Sequence, residues 1–157
     1  MEMKNYLIDT FRFNDHANNM VLKKIKELPD KTASIKFFSH LINSQNKWMQ
    51  RILNNPEAPT MSWWDPVYDL NDLEKEWSSS LQIWLDYLES KTEEELVEEL
   101  TFIGFDGDKW AATAKDIALQ LNYHSIHHRA QIQTLIRQQG LEPDFVDYIG
   151  TKYRKLS

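Results

Sequence analysis

The chain has 157 residues, 41% hydrophobic and 27% charged, with four glycines, five prolines, no cysteine and a formal net charge of -6. That length and balance predict a single domain over 1–157 with its own core, and they exclude a disordered, repeat or turn-rich protein. The negative charge opposes nucleic-acid binding, and the lack of cysteine excludes disulfides, thiolate ligands and a cysteine nucleophile.

The opening, MEMKNYLIDTFRFNDHANNM, holds early acids and no apolar run of signal-peptide length. No stretch of about 18 uncharged apolar residues follows, so the expectation is a cytoplasmic chain with no membrane partner. A first helix is predicted from about Lys4 to Leu28, because Leu7, Phe11, Val21, Leu22, Ile25 and Leu28 fall on one stripe. After PDKT, with Asp30 and Thr32 as capping groups, a second helix should run from about Ala33 to Leu53, carrying Phe37, Phe38, Leu41, Trp48, Met49, Ile52 and Leu53 inward. The stretch 56–70 holds three prolines and the pair Trp63-Trp64, and reads as a long connection across one end of the helices. A third helix, about Asp72 to Ser90, is expected to be capped by Asn71 with Glu74 reaching back. The acidic run TEEELVEEL reads as a solvated helix face or the approach to a hairpin. ELTFIGFDGDKWAAT then alternates around Asp106-Gly107, a tight-turn pair, which predicts two short strands. Thr113 with Asp116 opens the last long helix, about Ala114 to Gln139, closed by Gly140 and Pro143. The expected fold is all-α: a four-helix bundle with a long crossover connection and a small β-hairpin excursion before the last long helix.

Three of the five histidines lie within YHSIHHRAQI, residues 123–132. Rotation at 100° per residue puts His128 inside the apolar stripe of Ala114, Ile117, Leu121, Ile132 and Leu135, and His124 at its edge, while His127 points away. Residues four apart on a helix sit about 5–6 Å from one another at Cβ, close enough for two imidazoles to share one ion. With no cysteine, a third ligand must come from His16 or His40. His16 lies opposite the apolar stripe of its helix, and His40 lies beyond the Phe37 and Trp48 edge of its own, a placement that suits the flank of a cleft. Three neutral imidazoles would leave coordination positions open, as in a reactive rather than a closed structural site. The glutamate of H-E-x-x-H zinc proteases is missing, since Ser125, Ile126 and His127 separate the pair.

FNDHANNMVLKKI, FSHLINSQNKWMQRIL, HSIHHRAQI and PDFVDYIGTKYR together resemble the DinB-like superfamily of metal-dependent four-helix-bundle proteins, along nearly the whole chain. The string H-x-x-H-H-R-x-Q is the specific part of this likeness. The resemblance implies that His40, His124 and His128 bind a divalent metal ion, zinc or nickel first among several that imidazole suits. It also implies a homodimer, and transfer of an external low-molecular-weight thiol to a small-molecule electrophile, the ion lowering the thiol's pKa. No catalytic side chain is assigned. The alternative is a non-catalytic metal-binding or stress-response helical-bundle module.

The chain departs from the family pattern in two places: Tyr123 stands where Asn is common, with Asn122 one place earlier, and His16 stands where an aromatic residue is usual. Around the site, Asn18, Trp48 and Arg129 are candidates for substrate binding. Asn18 shares the inner stripe of the first helix and, if the first two helices form a hairpin, lies about one turn from the level of His40. Arg129 would hold an anionic group or pair with an acid, and Trp48 with Trp63 and Trp64 could wall the cleft.

Overall fold

The computed structural model describes residues 2–156. Four long helices, α1 (Met3–Glu27), α2 (Thr32–Ile52), α3 (Leu73–Ser90) and α5 (Ala114–Gln138), surround one apolar core, and a two-stranded antiparallel sheet of β1 (Glu99–Ile103) and β2 (Lys109–Thr113) precedes α5. A short helix α4 (Glu93–Val97) lies before β1. Among the described residues no helix is long and apolar enough to cross a membrane.

The apolar stripes form the core as their spacing requires. Leu7, Phe11, Val21, Leu22 and Ile25 of α1 meet Trp77, Leu81, Trp84 and Leu88 of α3, with Phe38, Leu41 and Ile42 of α2 and Ile117, Leu121 and Ile132 of α5. Leu53 departs from its expected inward place, 60% exposed, because α2 ends at Ile52 in a Schellman turn. There Asn54 takes φ 53°, while the N–H of Asn55 bonds the carbonyl of Gln50. Gly140, at φ 81°, closes α5 in the same manner. Although only a few residues join α1 to α2, each packs on α3 and α5 and the two barely touch one another. The expected level pairing of α1 with α2 is therefore replaced by contact of α1 with α5.

Local signals fared unevenly. Thr113 accepts the N–H of Asp116 as expected, whereas the Asn71–Glu74 cap is absent. Asp72 is already in the right-handed helical region and the carbonyl of Asp69 receives the first N–H groups, so no side chain is needed there. The start of α2 likewise lacks a side-chain cap, although Asp30 accepts the N–H of Thr32. In the acidic run, Thr92 and Glu95 form a capping box for α4, and Glu93 accepts the N–H groups of Met3 and Lys4. That carboxylate therefore caps α1, where the helix dipole favours negative charge. At the hairpin only Gly107 has positive φ, 83°; a bond from the N–H of Gly104 to Asp108 encloses a three-residue loop instead of a two-residue turn.

The connection between α2 and α3 runs back along α2, not across one end. It opens with a 3-10 turn at Ala58–Thr60, and from Met61 onward a polar stripe on α2 supplies partners for its backbone. Asn43 donates to the carbonyl of Pro66, Ser39 accepts the N–H of Tyr68, and Lys47 donates to the carbonyl of Met61.

Candidate metal centre

His40 lies on this polar stripe, which explains why it sits outside the apolar face of α2. Its Nδ1 stands 2.6 Å from the carbonyl of Trp63, and its ring stacks on Trp64 at 3.8 Å and 9°. A carbonyl only accepts, so Nδ1 carries the proton and Nε2 presents a lone pair. On α5, the Nδ1 of His128 donates across 2.6 Å to Oε1 of Gln131, again leaving Nε2 bare, while Phe37 stacks against the ring. His124 completes the group. Its Nε2 is 2.9 Å from that of His40 and 3.0 Å from that of His128, and the three rings stand nearly perpendicular to one another.

This arrangement is electrostatically unfinished without a cation. Three nitrogens converge, two of them with lone pairs toward the centre, and the single proton His124 could offer at Nε2 cannot serve both neighbours. Added protons are disfavoured as well. Burial holds all three imidazoles below their ordinary pKa, and at His124 burial, then the neighbouring imidazoles, bring it to about 4. Two nitrogens each about 2.0–2.1 Å from a tetrahedral ion lie roughly 3.3 Å apart, so an opening of a few tenths of an ångström would admit one. The donor set and tautomers fit a divalent metal. These are the ordinary outer contacts of histidine ligands, in which the far ring nitrogen donates to a fixed oxygen.

The remaining histidines are not in the group: His16 and His127 are both exposed. The cluster opens on a cleft of about 250 Å³ between α2 and α5, bordered by Ser44, Trp48, Trp63 and Gln120. Trp48 is thus brought to the site. Asn18 and Arg129 are not among the residues bordering that cleft. Arg129, buried, donates to the Oδ1 atoms of Asn14 and Asn18 at 2.7 and 2.8 Å, and Asn18 donates on to Oγ of Ser125. Its partners are amides instead of an acid, and burial lowers its pKa to about 10. Tyr123, one of the departures from the family pattern, is 61% exposed, and Asn122 bonds Thr10 and Ala118. Ring orientation therefore comes from Gln131 and the carbonyl of Trp63. Gln131 closes the string H-x-x-H-H-R-x-Q, and its position one turn beyond His128 was the available signal.

The model of the DinB family matches residues 1–155. The chain belongs to the DinB family. No curated protein matches it. Membership of the DinB family and the three-histidine cluster together suggest a metal-binding helical protein.

Proposed function

We propose that this DinB-family protein is a four-helix bundle that binds zinc or nickel through His40, His124 and His128 and joins the sulfur of an external low-molecular-weight thiol to an electrophilic carbon. The S–H proton passes to solvent, and the carbon's π bond opens or its leaving group departs as the S–C bond forms. The observation that carries the reading is the convergence of three Nε2 atoms, two with their tautomers fixed by oxygen acceptors. When bound, the ion would supply Lewis acidity that lowers the thiol's pKa toward neutrality. The chain's own residues hold, shield and orient. His40 is fixed by the Trp63 carbonyl, His128 by Gln131, and Trp64 and Phe37 cover the rings against water. Trp48 and Trp63 wall the cleft where an electrophile with an apolar body would lie. With no cysteine in the chain, the sulfur must come from the cosubstrate. Asn18 and Arg129 serve this reading by bracing α5 against α1 so that both of its ligands keep their register.

The test joins two measurements on one preparation. Elemental analysis should find one divalent ion per chain, lost in each of His40→Ala, His124→Ala and His128→Ala. Thiol-dependent conjugation of a generic electrophile should disappear with the ion. Conjugation at full rate in metal-stripped protein would remove the proposal, and a bound ion with no turnover would leave the non-catalytic module. We also propose a cytoplasmic homodimer; exposed Tyr6, Tyr123 and Ile126 on α1 and α5 favour pairing, and solution mass tests it.

A further inference from the structure

The polar stripe of α2 continues beyond His40. Lys47 and Arg51 follow at seven and eleven residues, which on a helix is the same face, Arg51 about 16 Å farther along. Both are buried, 4% and 6% exposed, in a chain whose net charge is negative. Among the described residues neither forms an ion pair. Lys47 has the carbonyl of Met61, but Nε of Arg51 is buried without an acceptor. Its guanidinium lies instead among the rings of Trp48, Trp63 and Phe102, 4.8, 4.9 and 5.2 Å from their centroids.

A buried guanidinium N–H without an acceptor, as at Nε of Arg51, is costly, and a carboxylate is the usual partner for such a group. Here no ion pair supplies one, and the nearby Asp106 carboxylate is engaged by the Trp110 indole N–H. Arg51 borders two adjoining clefts, of about 140 and 270 Å³, and no residue lining either is acidic. The larger is walled by Trp63, Phe102, Phe105 and Trp110. Gly104 lets the last of these close in, since a Cβ there would stand 2.5 Å from the Trp110 ring. Trp63 also borders the histidine cleft, so the two spaces share a wall.

We propose that Arg51 anchors an anion subsite for a flat organic carboxylate, in the aromatic-walled cleft on the far side of Trp63 from the imidazoles. The planar fork of the guanidinium matches the two oxygens of a carboxylate, and the aromatic walls match a planar apolar body. Lys47 adds positive potential behind it. The subsite stands whether or not the imidazoles hold an ion.

The test is calorimetric titration of the full chain with 2-naphthoate, its neutral counterpart 2-naphthalenemethanol, and inorganic phosphate. Naphthoate should bind at least about tenfold more tightly than the alcohol or phosphate. Arg51→Gln should lose that advantage while leaving the alcohol unchanged, and Arg51→Lys should recover only part of it. His124→Ala should bind naphthoate as the wild type does, which separates this subsite from the metal reading. Equal binding of acid and alcohol, phosphate matching naphthoate, or loss in His124→Ala would each overturn the proposal. If Arg51→Gln does not fold, as seen by circular dichroism, the charge-keeping Arg51→Lys decides: unchanged naphthoate affinity there overturns the carboxylate fork.

Discussion

His128 and Gln131 face each other across one turn of α5, with Nδ1 2.6 Å from Oε1. The contact fixes which nitrogen of His128 is bare and where it points. Replacing Gln131 by Leu should weaken zinc binding by about 10–100-fold with helix content intact, because outer hydrogen bonds of ligating histidines typically carry that much affinity. Competition against a chromophoric chelator measures it, and an unchanged affinity would show that the ring is held by packing alone.

Removing the ion should destabilise the fold. An ion present at about a hundred times its Kd adds roughly 2.7 kcal/mol when it binds only the native chain. Chelator should therefore lower the melting temperature of the wild type and leave that of His124→Ala where it was. Identical chelator responses in the two proteins would mean that no ion is held by these residues.

The metal-free protein should respond to acid. In the folded chain the pKa of His124 is depressed from 6.5 to about 4, chiefly by burial, so the unfolded chain takes up its proton first. Stability from this group is fully present above pH 6.5, declines as pH falls toward 4, and levels off below that. Urea midpoints between pH 7 and 4 in chelator should show this decline, and His124→Leu should make it shallower, leaving the part that the depressed His40 and His128 contribute.

Asn18 and Arg129 offer a different contrast. Truncating Asn18 to Ala removes one acceptor from a buried guanidinium and the donor to Ser125, a change that should cost about 1–3 kcal/mol. Metal stoichiometry should stay at the wild-type value. An unchanged denaturation midpoint accompanied by lost metal would transfer Asn18 from bracing to the site itself.

How far the sequence disclosed all this depends on the kind of signal. Helices α1, α2, α3 and α5 were legible to within about a residue, because a buried stripe repeats many times along each and errors average out. His124 and His128 share one helix, so rotation alone places them; His40 could be assigned only by resemblance, since its face looks wrong until the connection is laid over it. That path could not be read, because side-chain to backbone bonds such as Asn43 to Pro66 leave no periodic trace. The pairing of α1 with α5 was hidden for a related reason: adjacency in sequence favours neighbours in space but does not dictate them. Gln131 was visible as a letter, and only its distance from His128 gives it a role.

The oxygen that orients His40 belongs to the backbone of residue 63, while the indole of the same residue borders the cleft. No replacement at position 63 deletes that oxygen so long as the chain keeps its course. Preference among incoming molecules can therefore drift by exchanging one ring for another at this position, without re-aiming the imidazole, whereas an insertion or deletion between 56 and 70 would disturb both at once.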